Sequence, residues 1–172
     1  METGFYCRSC GEYHIQDDIS FGAELPDPCF YLSEEERAVQ CECTSDLCTK
    51  EHEGRKDYFI RGCIEIPVIG GKEPFVWGVW TSLSEQNFNR TVELLDVEGR
   101  KKESPYFGWL VTRLPLYPDT YLLKTMAHTR KVGQRPYVEL EPTDHPLAIE
   151  QREGITLERV QEIVEAILHE KV

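Results

Sequence analysis

The rhythm of hydrophobic and polar positions changes near residue 58. Ahead of it, Pro26, Pro28, glycines, thiols and acidic residues interrupt every apolar run, and the stretch from Cys41 to Asp57 is polar enough to read as a loop. Beyond it, β-branched and aromatic residues dominate short runs bounded by Gly and Pro, the signature of strands. The predicted strands are Tyr58–Ile66, Phe75–Leu83, Tyr106–Leu114, Tyr121–His128 and Tyr137–Leu140. Turn chemistry at Gly70-Gly71-Lys72 and Tyr117-Pro118-Asp119 predicts that the flanking strands pair as antiparallel hairpins.

Helical spacing appears in three places. Ser33 followed by Glu36 is a capping-box pattern and predicts a short helix from Ser33 to about Ala38. A second helix starts at Ser82–Ser84, carries Phe88, Val92 and Leu95 on one face and stops at Gly99, linking the second strand to the third. A third follows Thr156 as N-cap, with Leu157, Val160, Ile163, Val164, Ile167 and Leu168 forming one apolar stripe to lay on the sheet. Pro146 to Gln151 adds a short turn of helix, separated by Gly154. The expectation is an α+β fold: a mostly antiparallel sheet of about five strands with a linking helix and a C-terminal helix packed on it, plus an N-terminal Cys-rich zinc-knuckle segment. One domain is expected over 1–172, with 1–57 loop-rich and 58–172 the core.

Charge narrows the partners. With 19 Lys+Arg against 31 Asp+Glu the formal charge is -12, which repels a polyphosphate backbone and argues against nucleic acid. No run approaches the roughly 20 apolar residues of a membrane helix. Met1-Glu2-Thr3-Gly4 lacks the basic start and apolar run of a secretion signal, so a cytoplasmic protein without a membrane anchor is expected.

Seven cysteines, Cys7, Cys10, Cys29, Cys41, Cys43, Cys48 and Cys63, crowd the first part of the chain. In a reducing compartment such thiols more often serve metals or redox chemistry than disulfides. Tyr6-Cys7-Arg8-Ser9-Cys10-Gly11 is half of a zinc knuckle: two residues between the cysteines let both sulfurs face one tetrahedral ion, and Gly11 permits the tight turn. A redox role would need the pair at the start of a helix, which Gly11 and the acidic residues after it do not support. His14, Cys48, Cys43, Cys41, His52, Cys29 and Cys63 are all available to complete the shell, and the preferred metal set is Cys7, Cys10, Cys48 and His14 around a structural zinc. Cys63, inside a strand, reads as a small packed hydrophobe.

Other constellations have bland and functional readings side by side. Lys124 and His128 share a strand face that Arg113, Arg135, Glu139 and Glu141 can join, giving either a site for an anion and proton transfer or a solvated face edged with ion pairs. His145 in Pro142-Thr143-Asp144-His145-Pro146 either points into a cleft or belongs to a turn in which Asp144 caps the next helix. The candidate ligand-binding residues are thus Arg113, Lys124, His128, Glu139 and His145. Trp77, Trp80 and Trp109 read as core and sheet-face packing, or as an aromatic groove.

Five segments carry a resemblance over nearly the whole chain: Cys7 to His14, Arg61 to Val68, Phe75 to Trp80, Pro105 to Leu110, and Glu139 to Ala148. On these the chain resembles the bacterial family catalogued as domain of unknown function 2199. The resemblance implies a bacterial, single-domain protein and brings no catalytic residues. Cys41 and Cys43 stand outside it and are left out of the preferred metal set: Cys41 or Cys43 reads as a surface thiol, with Cys43 and Cys48 as an irregular second arm the alternative.

The functional expectation is a zinc-stabilised cytosolic binding module whose partner is a protein or a small molecule. The alternatives are an enzyme acting on a small anionic substrate through Lys124, His128 and Glu139, and an acidic immunity-type inhibitor of a basic protein.

Overall fold

The computed structural model describes residues 3–16 and 19–169, so Met1 and Glu2 of the opening segment lie outside it. A small hairpin, β1 (Gly4–Tyr6) and β2 (Tyr13–Ile15), stands apart from the main sheet. The main sheet contains β3 (Ser20–Gly22), β4 (Cys41–Cys43), β5 (Leu47–His52), β6 (Arg55–Ile66), β7 (Phe75–Leu83), β8 (Tyr106–Trp109), β9 (Lys124–His128) and β10 (Tyr137–Leu140). Among the described residues five α-helices accompany it, α1 (Asp27–Phe30), α2 (Glu34–Gln40), α3 (Glu85–Glu93), α4 (Pro146–Glu153) and α5 (Leu157–His169), with a short 3-10 turn at Arg100–Lys102.

The α+β class holds, but the sheet is mixed and eight-stranded where about five mostly antiparallel strands were expected. Its main path runs β3-β7-β6-β10-β9-β8, with β5 on the free stretch of β6 and β4 on β5. β6–β7 and β8–β9 are antiparallel as their turns predicted. The parallel pairs β3–β7 and β10–β6 join segments distant in sequence. Beyond β8 the chain turns back onto β7, where Thr81 bridges Leu110 and the Val111 N–H donates to the Trp80 carbonyl at 2.9 Å, so the sheet curls around on itself. That detour ends β8 at Trp109, short of the predicted Leu114. β9 likewise starts at Lys124 and not Tyr121, because Leu122 takes a left-handed backbone (φ 64) to donate its N–H to the Leu110 carbonyl.

The polar stretch from Cys41 to Asp57 is a pair of strands running into a third, not a loop. Glu53 and Gly54 both have positive φ (51 and 77), and the register closes at His52 opposite Arg55, a two-residue turn whose twist matches the flanking strands. Ser33 makes both halves of the predicted capping box with Glu36. α4 departs from expectation in its cap: the His145 ring accepts from the Leu147 N–H at 3.2 Å, so His145 and not Asp144 caps it.

The largest core lies between the sheet and α4–α5. Ile64, Ile66, Phe75, Trp77, Val79 and Val138 meet Leu147, Val160, Ile163 and Val164, with Phe5 of the hairpin sealing one end. Each fully buried aliphatic or aromatic side chain of this kind contributes about 1.5–3 kcal/mol. The N-terminal segment is therefore fastened to the same core as α5. Among the described residues no helix is long and apolar enough to cross a membrane.

Candidate metal centre

The tip of the β1–β2 hairpin is the Cys7-to-Gly11 turn. The Gly11 N–H donates to the Cys7 carbonyl at 2.9 Å and the Cys7 N–H to the Glu12 carbonyl at 2.8 Å. Gly11 holds φ 76, which a residue with a Cβ resists. The turn aims the N–H groups of Ser9 and Cys10 at the Cys7 sulfur, at 3.4 and 3.5 Å. On the returning strand His14 lies opposite Phe5, and its Nε2 comes to 3.6 Å from the Cys10 sulfur.

α5 supplies the rest. Gln161 donates to the Tyr6 carbonyl at 3.0 Å, and Glu165 accepts the Arg8 N–H at 2.6 Å. His169 is one helical turn beyond Glu165 on the same face and therefore reaches the same turn. Cys7, Cys10, His14 and His169 bring their ligand atoms within 4.8 Å of one another. Two sulfurs and two imidazole nitrogens held at about 2.0–2.3 Å from one ion are a closed tetrahedral zinc shell.

Electrostatics favour a cation there. Burial alone would push the Cys7 thiol up, but the N–H groups of Cys10 and Ser9 bring it below its ordinary value. Cys10 gains from the Glu12 N–H, yet burial and the neighbouring Cys7 sulfur leave it above its ordinary value. Two thiols this close accept one negative charge far more readily than two, and a divalent cation removes the conflict.

Three of the four expected ligands, Cys7, Cys10 and His14, are thus together. Cys48 is not among them: it sits on β5, fully buried, within the second group of Cys29, Cys43 and Cys48. The fourth residue of the group is His169, which sequence reasoning passed over because α5 was read only for its apolar stripe. Cys41 and Cys43 are half-buried on β4 and not free surface thiols. Cys63 lies in β6 apart from both groups, and burial pushes its thiol up, in keeping with a packed side chain.

The other candidate residues are engaged in separate contacts. Lys124 pairs with Glu141 at 3.9 Å and His128 with Glu139 at 3.6 Å. Four residues apart on one strand, Lys124 and His128 stand about 13 Å from each other. Arg113 pairs with Asp27 at 3.1 Å and Asp119 at 3.4 Å and lies over the Tyr121 ring. His145 is occupied by its cap and by the Pro118 carbonyl, 3.2 Å from Nε2. Trp77 and Trp80 are core residues; Trp109 is partly exposed, edge-on to Phe107.

The class is a mixed-sheet α+β fold in which a group of two cysteines and two histidines, able to hold a metal ion, lies between the first hairpin and the last helix. The chain belongs to the bacterial family described as "uncharacterized protein conserved in bacteria (DUF2199)", whose model matches residues 6–155. The match takes in Cys7, Cys10 and His14 and stops ahead of α5 and His169. No curated protein and no solved structure matches the chain.

Proposed function

We propose that Cys7, Cys10, His14 and His169 bind one zinc ion as a structural site, and that the protein works as a zinc-stabilised binding module. The observation that carries the reading is the approach of four ligand atoms, from the first hairpin and the last helix, to within 4.8 Å. A shell filled by four protein ligands leaves no position for water or substrate, so the metal contributes folding energy and the surfaces contribute function. Elemental analysis of protein purified without added metal tests the site: stoichiometric zinc that falls in the His169→Ala variant supports it, and a zinc content indifferent to His169 sinks it.

The binding reading has a place to act. A cavity of about 300 Å³ has Ile60, Tyr106 and Ala127 among its apolar lining, with Arg61, Arg130 and Arg135 at its polar side. Arg130 is paired with Glu65 and Arg135 with Asp46, whereas the Arg61 guanidinium lies over the Trp80 ring. A cavity with an apolar wall and a rim of paired arginines suits a small molecule whose apolar body fills it and whose carboxylate competes for Arg130 or Arg135. Benzoate as probe tests this by thermal shift: stabilisation that disappears in Arg135→Leu supports the pocket, and none with the wild type removes it.

A further inference from the structure

The hairpin centre uses two of the seven cysteines; elsewhere the sulfurs of Cys29, Cys43 and Cys48 all lie within 4.8 Å of one another, and Cys41 touches Cys29 beside them. Cys29 comes from α1, Cys41 and Cys43 from β4, and Cys48 from β5. The Cys29 sulfur is 2.7 Å from that of Cys41 and 3.6 Å from that of Cys48, and Cys43 lies directly opposite Cys48 in the β4–β5 register, where the structure joins the two as a disulfide. We propose that in the reduced protein Cys29, Cys41, Cys43 and Cys48 form a second, tetrathiolate site for a soft divalent cation, zinc being the ion expected.

Three observations carry this. A disulfide accounts for two of the four sulfurs, whereas one tetrahedral ion accounts for all of them. The Cα atoms of Cys43 and Cys48 are 4.0 Å apart, closer than the roughly 4.4–6.8 Å usual across a disulfide, while neighbours on paired strands can readily send two sulfurs to one ion. The surroundings also suit the site: Phe59, Trp80 and Val111 pack against it, Cys29 and Cys48 are fully buried, and Cys41 and Cys43 are half-buried. Arg37 fixes α1 by donating to the carbonyls of Cys29, Phe30 and Leu32, at 3.0, 2.9 and 3.1 Å, which sets Cys29 over the β4–β5 pair.

The chemistry balances as follows. A dithiol reductant breaks the Cys43–Cys48 sulfur–sulfur bond, gives both sulfurs a proton and becomes a disulfide itself. Zinc then displaces one proton from each of the four thiols, leaving a tetrathiolate of net charge about -2.

The test uses the full chain, purified with a dithiol reductant and supplied with zinc, read by elemental analysis and by zinc-edge X-ray absorption. The expected wild-type result is about two zinc ions per chain with about three sulfurs per zinc on average, one centre being sulfur-only and the other half nitrogen. Cys41→Ser with Cys43→Ser should leave about one zinc with equal sulfur and nitrogen, and Cys10→Ser with His14→Ala should leave about one zinc surrounded by sulfur alone. The latter result would stand even if the hairpin centre proved wrong, because the two sites share no ligand. A wild-type zinc shell with no more sulfur than nitrogen overturns the proposal without recourse to variants. So does a reduced, zinc-supplied wild-type chain that still weighs two hydrogens less than its free-thiol mass.

Discussion

The backbone N–H of Arg8 donates to Glu165 at 2.6 Å, across 157 residues of chain. The Arg8 guanidinium lies 3.6 Å from the other carboxylate oxygen of the same residue. This clamp sets the height of α5 against the Cys7–Cys10 turn, and His169 reaches the thiols because it follows Glu165 by one turn.

His169→Ala should therefore lose zinc from the hairpin centre to a competing chelator many times faster than the wild type. His52→Ala is the control, since His52 is exposed beside Glu53 at the β5–β6 turn. Stopped-flow zinc release with a colorimetric chelator checks this; equal rates for the two variants would contradict the assignment.

Glu165→Gln keeps the shape of the clamp and removes its charge. The Gln161 amide and the Arg8 N–H hold the Glu165 carboxyl below its ordinary value, so the group is ionised and its acceptor role depends on charge. Zinc release should quicken in this variant, by less than in His169→Ala, with the far-ultraviolet circular dichroism unchanged.

Acid should weaken the fold through Glu103. Its hydrogen bonds to Arg90 and Tyr106 bring its carboxyl down from 4.5 to about 2. A carboxylate depressed in the folded state adds stability above its unfolded value and loses it as pH falls toward the folded one. Urea midpoints should thus decline from about pH 4.5 to about pH 2 by this group, a limb that Glu103→Gln flattens.

Gly108→Ala tests the curling of the sheet. A Cβ there would run into the Ser82 carbonyl and into Thr81 Oγ1, where β8 crosses β7. Overpacking of this kind costs about 1–3 kcal/mol, and because the obstacle is backbone the value should fall in the upper part of that range. Equilibrium urea denaturation measures it; a variant as stable as wild type would mean that β8 does not pack against β7.

Much of the local structure was legible along the chain. β7 and β10 occur over their predicted residues, the Ser33–Glu36 box caps α2, and Thr156 precedes α5, all because periodicity and capping act within a few residues. β4 and β5 were missed because half-exposed strands of Cys, Glu, Thr and Lys carry no apolar alternation; their one signal was the Glu53-Gly54 turn. β3 is three residues long and has meaning only beside β7.

The sequence by itself determined the turn: Cys7, Cys10, Gly11 and His14 are close enough along the chain for turn geometry to bring two sulfurs and an imidazole together. Only the tertiary structure decided which further side chain joins them. Cys48 and His169 are both far from the turn in sequence, and choosing between them takes the packing of Phe5 and α5 into one core and the burial of Cys48 beside Cys29, long-range contacts whose energy no local pattern encodes.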